Sequence, residues 1–483
     1  MPVDGSLQLL LPEIILAVAG VIVLTAGLTT RSARVPGVLA LLGIIAAGAG
    51  VYNRVWGVTA EIWSGTVMVD GFANLFKVIF LVVGALTVLV SMDYVARNGI
   101  PAGEFYILIL LATVGMMFMA GSLNLLTIYL GLECLSLASY SLAGMLRRSA
   151  KSTEASLKYI LIGAISSGIV LFGMSLLFGA AGSLHLREIA AAIGTNGAMA
   201  PVLVAGMMFL VAGFGVKMAA VPFHMWAPDV YHGSPAPVAA FLITASEAAA
   251  FAAALRIFLV GLPALQPEWT TVFIVLAVIS MTVGNVTAIL QTNMRRMLAY
   301  SAVAQAGYIM VGLAVASDRA VSAMLYYLIA YAFMTIGAFA VVILLGRRHP
   351  AEEIRDFRGL SQRAPLFALA LTIFLLSLIG IPPTAGFFGK FYLIQAAVAA
   401  DLTWLAVVMM INSIISIPYY WGVVRTMYLA EAEDKEPLPA PAGLRWAAVI
   451  GLAGTLVLGL FPDAVVQIVS AVQVAPELFL AAF

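Results

Sequence analysis

The sequence predicts an all-α polytopic membrane protein of about 14 transmembrane helices, and three observations support this class. First, 63% of the 483 residues are hydrophobic and 10% are charged, whereas soluble proteins have roughly 45–50% apolar and about 25% charged residues. Second, apolar runs of about 18 residues or more, long enough to cross a bilayer, recur from Leu7 almost to the C-terminus. Third, basic residues concentrate in alternate loops. The sequence therefore excludes an ordinary soluble enzyme.

Hydropathy places the membrane spans and their orientation. The predicted spans are 7–28, 35–53, 71–92, 104–121, 124–146, 155–181, 200–222, 235–261, 269–291, 297–316, 320–346, 364–398, 402–429 and 444–461. The first span has no basic segment before it, so we expect it to be retained as a helix rather than cleaved as a signal peptide. Arg54, Arg187 and Arg319 are the basic residues of one set of loops. The positive-inside rule places the other, more basic set in the cytoplasm and both termini on the opposite side.

Charge and cysteine content limit the cofactors and partners. The net charge of +1 gives no reason to expect nucleic acid as a partner. The single Cys134 excludes a disulfide framework and an iron–sulfur cluster held by this chain, which needs about four cysteines. The histidines are too scattered to predict a haem or metal site: His185, His224, His232 and His349. We expect no cofactor and no metal in this chain, and any electron transfer to occur elsewhere.

Among the charged residues inside predicted spans, five form a pattern in the fifth, sixth, seventh, eighth and twelfth: Glu133, Lys158, Lys217, Glu247 and Lys390. An ionisable side chain near the bilayer centre costs roughly 2.5–3.5 kcal/mol, so it is kept mainly where it pairs, contacts water or functions. One interpretation is interhelical ion pairs that hold a bundle together. Such pairs often fail to recover their desolvation cost, so the set favours a proton relay.

A relay needs groups whose proton affinity changes when a partner moves. A buried lysine beside a carboxylate has this property, so Glu133 and Lys217 are a candidate pair. Lys158, which lies between them in the chain, is a candidate to pass or block protons. Nearby hydroxyl groups are candidates to hold intervening water: Ser136, Ser139, Ser166, Ser167 and Tyr140. Lys77 and Arg256 lie within two turns of predicted helix ends, so we expect their side chains to reach the membrane interface.

Two of the spans are predicted to be broken. Pro222 follows Lys217 in the seventh span, and proline removes a backbone donor and crowds the preceding turn. The twelfth span, about 35 residues long, contains Gly380, Pro382 and Pro383 shortly before Lys390. Irregular backbone at membrane depth is tolerated only where protein buries it or where it lines a cavity; the alternative is a packing kink.

His224 follows the first break. It titrates near neutral pH and is a weaker site candidate, because a loop histidine is more often merely solvated or hydrogen-bonded.

A weak internal repeat relates the two breaks. A shift of 168 residues places 157–160 over 325–328, the fifth to eighth spans over the tenth to thirteenth, and the seventh span beside the twelfth. Since five helices separate the copies, they are predicted to have opposite orientations in the membrane. The chain then divides into N-terminal helices (1–103), a first repeat (104–262), a second repeat (263–430) and a C-terminal segment (431–483).

Four segments carry a resemblance to a known family: Leu130–Leu142, Lys217–Pro237, Ser301–Tyr308 and Gly380–Tyr392. They resemble the subunit N family of bacterial NADH-quinone oxidoreductase, respiratory complex I. This family belongs with the antiporter-like subunits related to multisubunit sodium/proton antiporters. The resemblance covers almost the whole chain and implies fourteen helices containing two inverted five-helix repeats, with helices 7 and 12 broken. The chain end at Phe483 favours subunit N over the larger antiporter-like subunits.

The resemblance also implies a function. It assigns Glu133, Lys158, Lys217 and Lys390 to a proton path along the membrane midplane, whereas Glu247 departs from the lysine that many relatives carry there. It implies a translocase subunit without a redox centre, driven by quinone reduction in other subunits. The implied partners are an adjacent antiporter-like subunit, small membrane subunits and lipid of the bacterial inner membrane. NADH and quinone are not expected to bind this chain.

Two other functions remain open at this point. One is a subunit of a sodium/proton antiporter, which predicts sodium-dependent transport that survives without any quinone reductase. The other is a structural scaffold, in which the buried charges only hold helices together. A scaffold predicts that neutralising Lys217 harms assembly and pumping in step.

Overall fold

The computed structural model describes residues 7–195, 200–347, 352–432 and 436–474, so His349 lies outside the described residues. Twelve helices in this part of the chain are long and apolar enough to cross a membrane. The helices, in chain order, are α1 (Leu11–Thr29), α2 (Arg34–Val55), α3 (Gly71–Arg97), α4 (Ala102–Ala120), α5 (Leu125–Ala143), α6 (Ala150–Ala181), α7 (Leu186–Thr195), α8 (Ala200–Lys217), α9 (Ala227–Gly233), α10 (Ala236–Gly261), α11 (Gln266–Ile289), α12 (Met294–Val315), α13 (Asp318–Leu345), α14 (Pro365–Ile379), α15 (Ala385–Ala399), α16 (Thr403–Leu429), α17 (Ala442–Leu460) and α18 (Pro462–Ser470). The chain is a multi-pass membrane protein.

Polar side chains fix where several of these helices begin. Asn124, Ser149 and Asn293 precede α5, α6 and α12, and each accepts a hydrogen bond from a backbone N–H of the first turn. Such caps satisfy donors that have no partner within the helix. At the other end of α6, Gly182 takes a positive φ of 71° and ends the helix in a left-handed cap.

Both predicted breaks are confirmed. In the seventh span, α8 ends at Lys217 and α9 begins ten residues later at Ala227, because the intervening Pro222 cannot continue a helix. In the twelfth span, Gly380 adopts a φ of 95° and separates α14 from α15. The twelve long helices do not include these four half-helices. The total of fourteen crossings, which counts each broken span once, therefore stays a prediction.

Three short elements were not predicted. A two-stranded antiparallel hairpin, β1 (Ala60–Ile62) and β2 (Val67–Val69), connects α2 to α3. The helices α7 and α18 are amphipathic and too short to span a bilayer. A hydropathy window of about 19 residues averages over elements of this length, so it does not detect them.

The centre of the bundle is formed by α10, α12 and α13. Every residue in the apolar stretch of α10 is buried, as are 94% in α12 and 89% in α13. In contrast, only 28% of the corresponding stretch of α1 is buried. Polar side chains on the three central helices are therefore enclosed by protein rather than exposed to lipid.

The helices of the fifth and tenth spans, which the predicted repeat superimposes, begin with similar backbone contacts. Asn124 forms an isolated β-bridge with His185, and Asn293 forms one with Glu353. Each asparagine is also the cap of its helix, α5 or α12. These paired contacts are consistent with the repeat, but its inverted orientation and the four segment boundaries stay predictions.

Candidate functional site

The first part of the site lies where α5, α6 and α8 meet. Lys217 is the last residue of α8 and is only 5% exposed. Its ammonium group donates to Ser136 Oγ at 2.8 Å and to the Tyr140 hydroxyl at 3.3 Å. Both partners lie on α5, one and two turns after Glu133, so the three side chains share a helix face.

Glu133 and Lys217 do not form the direct ion pair that the sequence suggested. Instead, Glu133 accepts a hydrogen bond from Ser167 of α6, while Lys217 is held by the hydroxyl groups of α5. Three of the hydroxyl-bearing residues expected near the relay, Ser136, Tyr140 and Ser167, thus contact its charged groups directly.

Lys158 lies apart from this pair. Its ammonium group contacts Glu154 Oε1 and Asp229 Oδ2, both at 2.7 Å, and its side chain is 42% exposed. Asp229 belongs to α9 and is also bound by Arg296 at 2.8 Å. The structure therefore places Lys158 in an ion-pair network that joins α6, α9 and α12. Its proposed role in passing or blocking protons stays a prediction.

Glu247 is the most enclosed carboxyl group of the site. It is 1% exposed and follows a π-helical turn, Leu242–Ser246, of the kind often found at functional positions. Its Oε1 accepts a hydrogen bond from the Tyr231 hydroxyl at 3.0 Å, and its Oε2 has no hydrogen-bond partner. Within the described residues, no lysine or arginine pairs with it. A buried carboxyl group without a cation is expensive, which marks this position as a candidate site.

Lys390 lies at the second break. Its ammonium group turns back from α15 and donates to the carbonyl oxygens of Leu378 and Ile379 at 2.9 and 3.1 Å. These carbonyls end α14, where the helix dipole favours a positive charge. Lys390 also donates to Ser413 Oγ at 3.4 Å and lies 4.0 Å from the ring centre of Tyr308. The break thus supplies the ligands for the lysine.

A chain of uncharged polar side chains leads from Lys390 towards the centre of the protein. Ser413 and Asn285 both donate to the Tyr308 hydroxyl at 3.4 Å, and Tyr419 donates to Asn285 at 2.9 Å. The rings of Tyr419 and Tyr420 lie 4.2 Å apart. Gln305 connects Tyr420 to Tyr327, at 3.3 and 2.5 Å.

Tyrosine rings continue this chain to both sides of Glu247. Tyr327 stacks on Tyr331, with ring centres 6.5 Å apart, and Tyr331 is close enough to Glu247 to interact with it electrostatically. On the other side, Tyr159 lies near Glu247 and packs edge-on against Tyr140, which contacts Lys217. At the ring contacts, the described side chains do not hydrogen-bond directly. Proton transfer there needs a water molecule or a side-chain movement.

Sequence reasoning missed the uncharged members of this chain. Asn285, Gln305, Tyr308, Tyr327 and Tyr420 are all buried. Buried amides and hydroxyls need partners, and several on neighbouring central helices would have been a detectable signal. The sequence prediction included the charged residues inside spans and hydroxyl groups of the fifth and sixth spans, but no amide or tyrosine of the later spans.

His224 lies at the first break and is not a member of the buried polar chain. It lies between α8 and α9, with its ring centre 6.5 Å from that of Tyr300. Its Nδ1 is buried and has no hydrogen-bond partner. The structure describes no hydrogen bond or ion pair from its ring to the five charged candidates. Its role stays a prediction.

An ionic cluster around Glu352, which lies outside the membrane spans, anchors the loop before α14. Glu352 accepts from Lys151 at 3.0 Å and contacts His232 at 3.1 Å, with Arg295 3.9 Å away. The hydrogen bond with His232, opposed by partial burial and aided by Lys151 and Arg295, lowers the pKa of Glu352 to about 2. The loop is therefore held by an ionised carboxylate at neutral pH.

The expectation that Lys77 and Arg256 reach the membrane interface is wrong. Lys77 is buried and pairs with Glu13 of α1 at 2.7 Å. Arg256 is buried and binds both oxygens of Asp70 at 2.7 and 2.8 Å. Glu13 lies on another helix and Asp70 lies just before α3. Both basic residues are near a helix end, but other segments of the chain cover them, which the sequence does not reveal.

Comparisons with known proteins agree with this architecture. Residues 122–416 match the model of the family described as NADH:quinone oxidoreductase/Mrp antiporter, TM. The chain is 44% identical over 469 residues to NADH-quinone oxidoreductase subunit N of Trichlorobacter lovleyi, covering 96% of each protein.

Solved structures extend this similarity. The chain matches one in respiratory complex I from Thermus thermophilus with bound aureothin, at 34% identity and a TM-score of 0.81, covering 94% of this chain and 98% of that one. It also shares the fold of a chain in the Mrp complex from Dietzia, at 21% identity and a TM-score of 0.87, covering 100% of this chain and 99% of that one. The chain belongs to the NADH:quinone oxidoreductase/Mrp antiporter membrane family and, within it, to the NADH-quinone oxidoreductase subunit N proteins.

Proposed function

We propose that this chain translocates protons as a membrane subunit of an NADH-quinone oxidoreductase, through the buried polar chain between Glu133 and Lys390. The observation that carries the proposal is the continuity of the half of this polar chain that begins at Lys390. From Lys390 to Tyr327, each step is a hydrogen bond or a contact between tyrosine rings. Polar groups of this kind are costly inside a membrane protein and mark ion pathways.

The charged members of the chain would load and release protons. Lys217 and Lys390 are both enclosed and held by neutral hydroxyl or carbonyl groups. Such a lysine changes its proton affinity when water or a charged group approaches. Glu247 lies between them and would exchange protons with both halves of the chain. Glu133 would connect the first half to the exterior of the bundle.

The energy for transport would come from other subunits. Moving one charge against 100 mV costs about 2.3 kcal/mol, and we assign no redox cofactor or metal to this chain. Among the described residues, no cluster of three or more histidines, cysteines or acidic residues could hold a metal ion. NADH and quinone would bind elsewhere in the complex.

The relatives are named as subunits of an oxidoreductase, which supports the proposal of a larger assembly. We infer that its partners are other membrane subunits of the complex, including an adjacent antiporter-like subunit and small membrane subunits, together with lipid. The cell inner membrane, with both termini on the non-cytoplasmic side, fits the distribution of basic loop residues.

The proposal is tested by replacing Lys390 with methionine, which has a similar length but no charge. Assembled complex in proteoliposomes is expected to lose most proton pumping per electron, because the second half of the chain no longer holds a proton. The matched control is Arg445→Met on the exposed surface of α17. Pumping equal to wild type in Lys390→Met would contradict the proposal. Sodium transport without quinone reduction would instead favour an antiporter.

A further inference from the structure

Glu247 depends on one neighbouring side chain for its orientation. The Tyr231 hydroxyl is the hydrogen-bond donor to its Oε1, and the second oxygen has no hydrogen-bond partner. Tyr159 of α6 and Tyr331 of α13 also lie within electrostatic range of the carboxyl group, but the described structure gives neither of them a hydrogen bond to it. Tyr231 therefore mainly sets the orientation of the Glu247 carboxyl group relative to the two halves of the polar chain.

Tyr231 lies on a helix that needs external support. The helix α9 has seven residues, and a helix this short is not stable on its own. Its residues point in two directions: Tyr231 reaches inward to Glu247, whereas Asp229 and His232 reach outward to ionic partners. The Tyr231 ring also packs edge-on against Trp226, with ring centres 5.5 Å apart.

Arg295 supplies a support at the C-terminal end of α9. Its Nη2 donates to the backbone oxygen of Tyr231 at 2.7 Å and also to the backbone oxygen of Ser234. A guanidinium group at the C-terminal carbonyls of a helix satisfies free acceptors and complements the helix dipole. Arg295 is itself buried and fixed, because it lies in the first turn of α12, which Asn293 caps.

We propose that Tyr231 and Arg295 are positioning residues for Glu247, in which Arg295 holds the end of α9 and Tyr231 thereby holds the carboxyl group. This inference rests on the proposed function, because it concerns how Glu247 takes part in proton transfer. It adds two residues to the relay that carry no transported proton themselves. Arg295 acts on Glu247 through Tyr231, so the effects of replacing the two residues are not independent.

The test compares the pH profile of proton pumping in assembled complexes carrying Tyr231→Phe, Arg295→Gln or both. Each single variant is expected to move the pH of half-maximal pumping by about half a unit or more, in the same direction, because the environment of one carboxyl group changes. The double variant is expected to match Tyr231→Phe, because residues that act through one contact are not additive. Arg295→Lys, which keeps a charge and a donor, is expected to recover part of the wild-type profile.

Two controls separate positioning from general damage. Tyr326→Phe removes a buried hydroxyl that donates to the Leu458 oxygen at 2.6 Å, away from α9. Lys151→Gln removes another partner of Glu352 without touching the α9 carbonyls. Both are expected to keep the wild-type profile. An unmoved profile in Tyr231→Phe, or additive shifts in the double variant, would overturn the inference.

A further variant separates this inference from the proposed function. If Glu247→Gln stops pumping while Tyr231→Phe and Arg295→Gln leave the profile unchanged, the relay stands and the positioning role fails. If Glu247→Gln pumps as well as wild type, the relay itself loses this residue, and the positioning role fails with it.

Discussion

Gln305 joins two tyrosines at the middle of the buried chain, so it is the residue whose loss interrupts the chain most simply. It donates to Tyr420 and accepts from Tyr327. Losing a buried hydrogen bond costs about 1–3 kcal/mol, and 1.36 kcal/mol corresponds to a tenfold change in rate. We expect Gln305→Leu to reduce coupled proton pumping about tenfold in assembled complex. The control is Gln467→Leu on the exposed face of α18, and equal pumping in the two variants would argue against conduction through Gln305.

Arg256 and Asp70 form a pair that we assign to stability rather than to transport. Both side chains are buried, and Arg256 also donates to the backbone oxygen of Ala120 at 3.2 Å. Removing one partner of a buried pair destabilises by about 3–5 kcal/mol, because the other charge stays buried. We expect Arg256→Met to lower the thermal unfolding temperature of the complex in detergent. Asp70→Leu combined with Arg256→Met should restore part of it. A double variant less stable than Arg256→Met alone would show that the account of this pair is wrong.

At the scale of elements, the loop before α14 is tied to the start of α12. The Met294 amide donates to the backbone carbonyl oxygen of Glu352, and the Ile354 amide donates to that of Thr292, both at 2.8 Å. Because the pKa of Glu352 is lowered to about 2 from an ordinary value near 4.3, its ionised form stabilises these contacts at neutral pH. The stabilisation that the ionised carboxylate provides is lost as the pH falls from roughly 4 through 2.

Glu352→Gln imitates the protonated state at neutral pH. We expect faster hydrogen exchange at the Met294 and Ile354 amides in this variant, measured by mass spectrometry of the intact complex. Glu431→Gln, at an exposed position in another loop, should leave these amides protected. Unchanged exchange in Glu352→Gln would mean that backbone contacts alone hold the loop.

The elements differ in how far the sequence could predict them. The breaks were predictable because Pro222 and Pro382 restrict the backbone, whereas Gly380 permits a positive φ that ends a helix. The buried pairs of Lys77 and Arg256 were not, because their partners come from segments distant in sequence. The same holds for Lys158: hydropathy placed it inside a span, but not beside Asp229 of α9.

At the scale of the whole molecule, each of the two helix breaks has an enclosed lysine close to it. Lys217 ends α8 before the first break, and Lys390 follows the second break on α15. The central helices α10, α12 and α13 lie between these regions in sequence and supply Glu247, Gln305 and Tyr327. The proposed proton path along the molecule would therefore pass both breaks.

The most direct test of this account replaces Lys217 with alanine and measures proton pumping and quinone reductase rate in the same assembled complex, with assembly checked independently. The account predicts that the complex assembles and that pumping falls, either alone or together with the reductase rate. Pumping and reductase rate both at the wild-type level would contradict the account, because the relay would then lose its central lysine.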